Sequence, residues 1–112
     1  MATIANLYID AGADYSNIIT VSTATFAPLD LTGYTVKSQM RKSYGSSVAY
    51  NFNAMVYDAT TGRVKIYLTS TESESIPPGR YLYDIEITQT VSGIKTRVIE
   101  GIAIISPQIT KT

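Results

Sequence analysis

Apolar and polar residues alternate one by one along much of this chain, and turn-forming residues break the alternation at roughly the eight-to-twelve-residue spacing of a sandwich or small barrel. The pattern is clearest over residues 34–42. There Tyr34, Val36, Ser38 and Met40 fall on one face, and Thr35, Lys37, Gln39 and Arg41 on the other. A strand with this period of two has one face in a core and one in water. Residues 63–69 repeat it with Val64, Ile66 and Leu68 inward, and residues 81–88 with Tyr81, Tyr83, Ile85 and Ile87 inward. Strands are also predicted over 3–9, 15–23 and 48–57, with turns at Asp10-Ala-Gly-Ala-Asp14, Asp30-Leu-Thr-Gly33, 43–47 around Gly45, and 58–62.

One segment breaks the period. Thr71-Glu-Ser-Glu74 has capping-box spacing, in which a hydroxyl and a carboxylate each satisfy a bare backbone N–H at the start of a helical turn. Pro77-Pro78-Gly79 then stops that turn, since proline cannot donate and restricts its predecessor. The spacing predicts a short helical turn near residues 71–75.

The last strand, 94–105, follows a turn near Gly93. If Gln89 faces Ile94, Glu86 opposes Arg97, giving an ion pair on the solvent side of the final hairpin. Glu100-Gly101 reads as a bulge, beyond which both sides of the strand are apolar. The phase of Val98, Ile102 and Ile104 is read as inward, leaving Ile99, Ala103 and Ile105 without a polar exterior. These three are expected to need a cover.

Composition fits this picture. Ile, Val and Thr make up 36 of 112 residues, and nine Tyr add to the strand-forming excess. The length suits one domain, here 1–106 with a short tail over 107–112. Nine basic and nine acidic residues leave no net charge, so the basic footprint that nucleic acid requires is missing. No residue is Cys or His, which removes thiolate chemistry, disulfides and the commonest general base and metal ligand. The longest apolar run, 102–105, is far short of the roughly 20 residues of a membrane span, and the N-terminus carries no basic region of a cleaved signal. Synthesis in a cytoplasm is the expectation.

Few groups invite chemistry. Asp84 and Glu86 lie two apart on one strand face, about 6.6 to 6.8 Å between Cα atoms, within reach for paired-carboxylate work. With Arg97 and Lys95 expected on the next strand, they read as a neutralised solvent face. Glu72 and Glu74 suit a helix start, Asp10 and Asp14 flank a turn, and the seven glycines are isolated, forming no phosphate loop. No catalytic residue, cofactor or metal is expected. The tyrosines remain: Tyr34, Tyr81 and Tyr83 fall on inward phases, while Tyr44, Tyr50, Tyr57 and Tyr67 fall in loops or outward. Exposed tyrosine serves protein interfaces and sugar platforms alike, and interface is favoured because no Trp and no single-loop cluster of Asn, Asp and Gln accompanies them.

Three segments carry a resemblance: Leu29-Asp-Leu-Thr-Gly-Tyr34 leading into Lys37-Ser-Gln-Met-Arg-Lys42, then Leu68-Thr-Ser-Thr-Glu72, then Gly79-Arg-Tyr-Leu-Tyr-Asp-Ile-Glu86 followed by Arg97-Val-Ile-Glu-Gly101 and Ser106-Pro107. Their order over about residues 6 to 110 resembles the small immunoglobulin-like β-sandwich proteins of tailed-bacteriophage virions. That family includes short structural proteins of cyanophage-like myoviruses and the N-terminal domain of siphophage baseplate upper proteins. The resemblance implies an all-β, antiparallel immunoglobulin-like sandwich of about seven strands. It further implies a non-enzymatic virion component, in tail, baseplate or neck, that associates in many copies with other virion proteins and binds neither nucleic acid nor membrane. Capsid decoration is an alternative, and a carbohydrate-binding or host-adhesion module is one of another class. The residues expected at the interface are Ile99, Ala103, Ile105, Tyr67 and Tyr44.

Overall fold

In the computed structural model, which describes residues 3–22 and 29–107, every long alternating segment of the sequence is a strand. The elements are β1 (Thr3–Ile4), β2 (Leu7–Asp10), β3 (Tyr15–Thr20), β4 (Tyr34–Arg41), β5 (Tyr50–Asp58), β6 (Arg63–Leu68), α1 (Ser70–Ser75), β7 (Gly79–Gln89) and β8 (Lys95–Ser106). The strands follow one hydrogen-bonded path, β1-β8-β7-β4-β5-β6-β3, with β2 also on β8. The path folds over on itself at β5. Tyr50–Phe52 pairs with β4, whereas from Asn53 onward β5 pairs with β6, so one strand serves both layers. The result is the expected all-β sandwich, nearly closed into a barrel.

Two features depart from a purely antiparallel sandwich. Both β1 and β2 run parallel to β8, which makes the sheet mixed. They are also one strand interrupted: at the break, the Ala5 carbonyl turns inward to accept from the Tyr83 hydroxyl at 2.5 Å, while Asn6 Oδ1 accepts from the Ile102 amide at 3.1 Å. Gly101 permits this, because a Cβ there would overlap the Ala5 carbonyl. The predicted strand 3–9 is therefore present with a kink that no residue type advertised.

The interior is filled by the inward phases read from the sequence, Val64, Ile66 and Leu68 of β6 against Tyr81, Tyr83, Ile85 and Ile87 of β7, with Leu7 and Ile9 from β2. Tyr50 belongs here too. It stands on the inward phase of β5 and meets Tyr81 edge-on at a centroid distance of 5.9 Å, so its expected outward position is corrected.

The helical turn forms where expected, but its cap lies two residues earlier. Thr69 Oγ1 accepts from the Glu72 amide and Glu72 Oε1 accepts from the Thr69 amide, so Thr69 and Glu72, rather than Thr71 and Glu74, make the capping box. The turn 10–14 is tied to it. Asp14 Oδ1 accepts from the Ser70 amide at 2.7 Å, and the wholly buried Ser73 hydroxyl accepts from Gly12 and donates to the Ala13 carbonyl. Of the tail 107–112, residues 108–112 lie outside the described residues, as do residues 23–28 of the connection containing Pro28.

Candidate functional site

The parity of β8 decides which surface is available. Ile85 opposes Ile99 and Glu86 opposes Arg97, so Val98 is an extra residue and the bulge lies there, not at Glu100-Gly101. Each side chain after it moves to the other face. Ile99, Ala103 and Ile105 are 1 %, 0 % and 2 % exposed and fill the chain's own core. The expectation that they form an outer contact surface is corrected for this reason. Their neighbours take that place: Ile102 and Ile104 lie on the outside of β8, with Leu82 opposite Ile102 and Tyr8, 71 % exposed, opposite Ile104. The last strand is apolar on both sides, as read, but with the faces exchanged. A pairing signal was present, since Gly101 faces Tyr83 across the hairpin, an aromatic covering an inward glycine.

Toward the other end of this face the surface turns polar and concave. The curved sheet and loop 43–47 bound an open groove of about 860 Å³. Its floor carries Lys37 and Gln39 from β4 and Asp84 and Glu86 from β7, in register across the two strands. Arg97 reaches from β8 to Asp84 Oδ2 at 3.3 Å and to Glu100 Oε2 at 3.4 Å. The register Glu86 to Arg97 is the predicted one, but Arg97 bonds Asp84 and Glu100 instead, because the adjacent bulge swings it along the strand. Burial raises the Asp84 carboxyl above its usual range, with the nearby Arg97 pulling the other way and Glu86 and Glu100 reinforcing the rise. Arg41 fastens the loop, donating from Nη1 to the Ser46 carbonyl at 2.6 Å and from Nη2 to Gln39 Oε1 at 3.3 Å.

The two tyrosines expected at an interface are not brought together. Tyr44, 79 % exposed, lines the groove. Tyr67 is half-buried on the outside of the second layer, where Lys65 lies over its ring. Met55 and Ile18 share that outer row with Lys65. Two carboxylates outside the groove serve the fold: Glu72 is held below the usual carboxylate range by the Thr69 amide and the Asn53 side chain, and Asp14 caps Ser70. Among the described residues no helix is long and apolar enough to cross a membrane.

The fold is shared with a phage protein domain. The N-terminal domain of phage TP901-1 ORF48 superposes with a TM-score of 0.59 and 11 % identity, over 91 % of this chain and 85 % of that one. InlP of Listeria monocytogenes aligns at 0.51 with 9 % identity, over 94 % of this chain but only 28 % of its own. At such identities the likeness concerns the fold. No family model and no curated protein sequence matches the chain.

Proposed function

We propose that this chain is a structural component of a tailed-phage virion, placed in the tail, baseplate or neck and acting by association with other virion proteins in several copies. The observation that carries the reading is the apolar strip on the outside of the β8 layer, in which Tyr8 is exposed and Ile102, Ile104 and Leu82 are half-buried. Apolar side chains of this kind, adjacent on the outward face of one sheet and left in part to solvent, mark a contact surface. Two further points support it: a motif order that resembles that of virion sandwich proteins, and a fold held in common with the N-terminal domain of phage TP901-1 ORF48. Catalysis has little to work with, as the chain holds no His or Cys and Asp84, whose carboxyl burial raises above its usual range, is tied to Arg97.

Mass spectrometry of purified particles of the encoding phage tests this. The chain is expected in the particles at many copies, comigrating with tail or baseplate proteins. Its presence in infected cells and absence from the particles would overturn the proposal.

A further inference from the structure

We propose that the groove between β4, β7, β8 and loop 43–47 binds a neutral saccharide. The groove shares Leu82 and Ile102 with the strip proposed for association, but its polar floor and Tyr44 lie apart from the Ile104–Tyr8 end, so saccharide binding is read separately from incorporation into the particle.

The charge on the groove points to the ligand class. Lys37, Arg41 and Arg97 are matched by Asp84, Glu86 and Glu100, so neither an anion nor a cation gains from the field of the whole site. What the floor offers instead is donors and acceptors side by side. Asn6 and Gln39 supply amides, Arg97 supplies a guanidinium, and Glu86 supplies a carboxylate that faces both Lys37 and Arg97 in register yet is in no ion pair among the described residues. A sugar hydroxyl donates and accepts at once, and so uses such a floor fully.

The rim supplies the complementary apolar element. Tyr44 stands at the groove, highly exposed, on a loop that the Arg41–Ser46 bond holds to the sheet, so little order is lost when a pyranose ring settles on it. Leu82 and Ile102 offer further contact to sugar C–H groups at one end. A protein segment suits this floor poorly. The centres of protein interfaces are depleted of charge, and covering six charged side chains would require their desolvation. A hydrated, hydroxyl-rich ligand leaves water in place.

The test is an amide-shift titration by NMR of the full chain with chitotetraose, maltotetraose and a rhamnose tetrasaccharide, with sialyllactose as the anionic control, each to about 10 mM. At least one neutral sugar is expected to shift amides of residues 39–44 and 82–86. Tyr44→Ala should weaken that binding about tenfold, with its spectrum otherwise dispersed as in the parent, while Tyr57→Ala on the other layer leaves it unchanged. The proposal is overturned if no neutral sugar shifts these amides, if sialyllactose alone does so, if only a purified virion protein does so, or if Tyr44→Ala binds the sugar as tightly as the parent.

Discussion

Tyr83 and Gly101 illustrate how much a single pair can determine. The tyrosine hydroxyl reaches past the missing side chain to the Ala5 carbonyl, and burial pushes its pKa up to about 12, so it remains a donor throughout the useful pH range. Gly101→Ala would place a methyl on that carbonyl and is expected to lower unfolding free energy by roughly 1 to 3 kcal/mol, read by urea denaturation. An unchanged midpoint would show that the kink at Ala5 relaxes freely. Asp84 gives a pH-dependent case. Its folded pKa is raised, so the folded state takes up a proton before the unfolded chain does. Relative to Asp84→Asn, the parent should therefore gain stability as pH falls through the raised pKa, and the gain should level off below the ordinary carboxylate value of 3.8. Melting temperatures from pH 7 to 3 check this, and a parent that loses ground on acidification would mean that Arg97 outweighs burial. At this scale the sequence names the actors but not their geometry: Asp84 and Glu86 stand out by spacing, whereas the Ala5 kink depends on a contact between residues far apart in the chain.

At the scale of elements, the capping box of α1 is the clearest local device. Thr69→Ala removes the oxygen that receives the Glu72 amide and is expected to cost about 1 kcal/mol. Hydrogen exchange should rise at Glu72 and Ser73, and a variant as protected as the parent would assign the turn to tertiary packing alone. Glu72 acts in the opposite sense to Asp84: its pKa is depressed, so its contribution is present above the ordinary value of 4.5 and lost as pH falls through the lower folded one. Strands with one wet face, such as β4 and β6, are legible from alternation because each residue reports its own side. The helical turn is legible because a break in period and a proline pair enclose it, although two overlapping Ser/Thr-x-x-Glu frames leave its start ambiguous. Strand β8 resists the same reading. Its polar residues fall on both phases, Arg97 on one and Glu100 on the other, because the unpaired Val98 reverses the parity midway, and beyond Glu100 the strand is apolar on both sides.

Across the whole molecule, the two layers present different outer surfaces. The β8 layer joins an apolar strip to a polar groove, and the β6 layer carries Lys65 with Met55, Ile18 and Tyr67. The fold class follows from composition and period alone. The parallel attachment of β1 and β2 to β8 does not, because no local signal distinguishes a parallel edge strand from an antiparallel one. The central claim is that the strip around Ile104 holds the chain in a particle. Ile104→Asp tests it most directly, since a charge on this half-buried outer position disrupts a contact there while sparing the core. The decisive measurement is the amount of this variant in purified phage particles relative to the parent, at matched soluble expression and melting temperature. The account predicts at least a tenfold loss of incorporation, and incorporation at the parental level would contradict it.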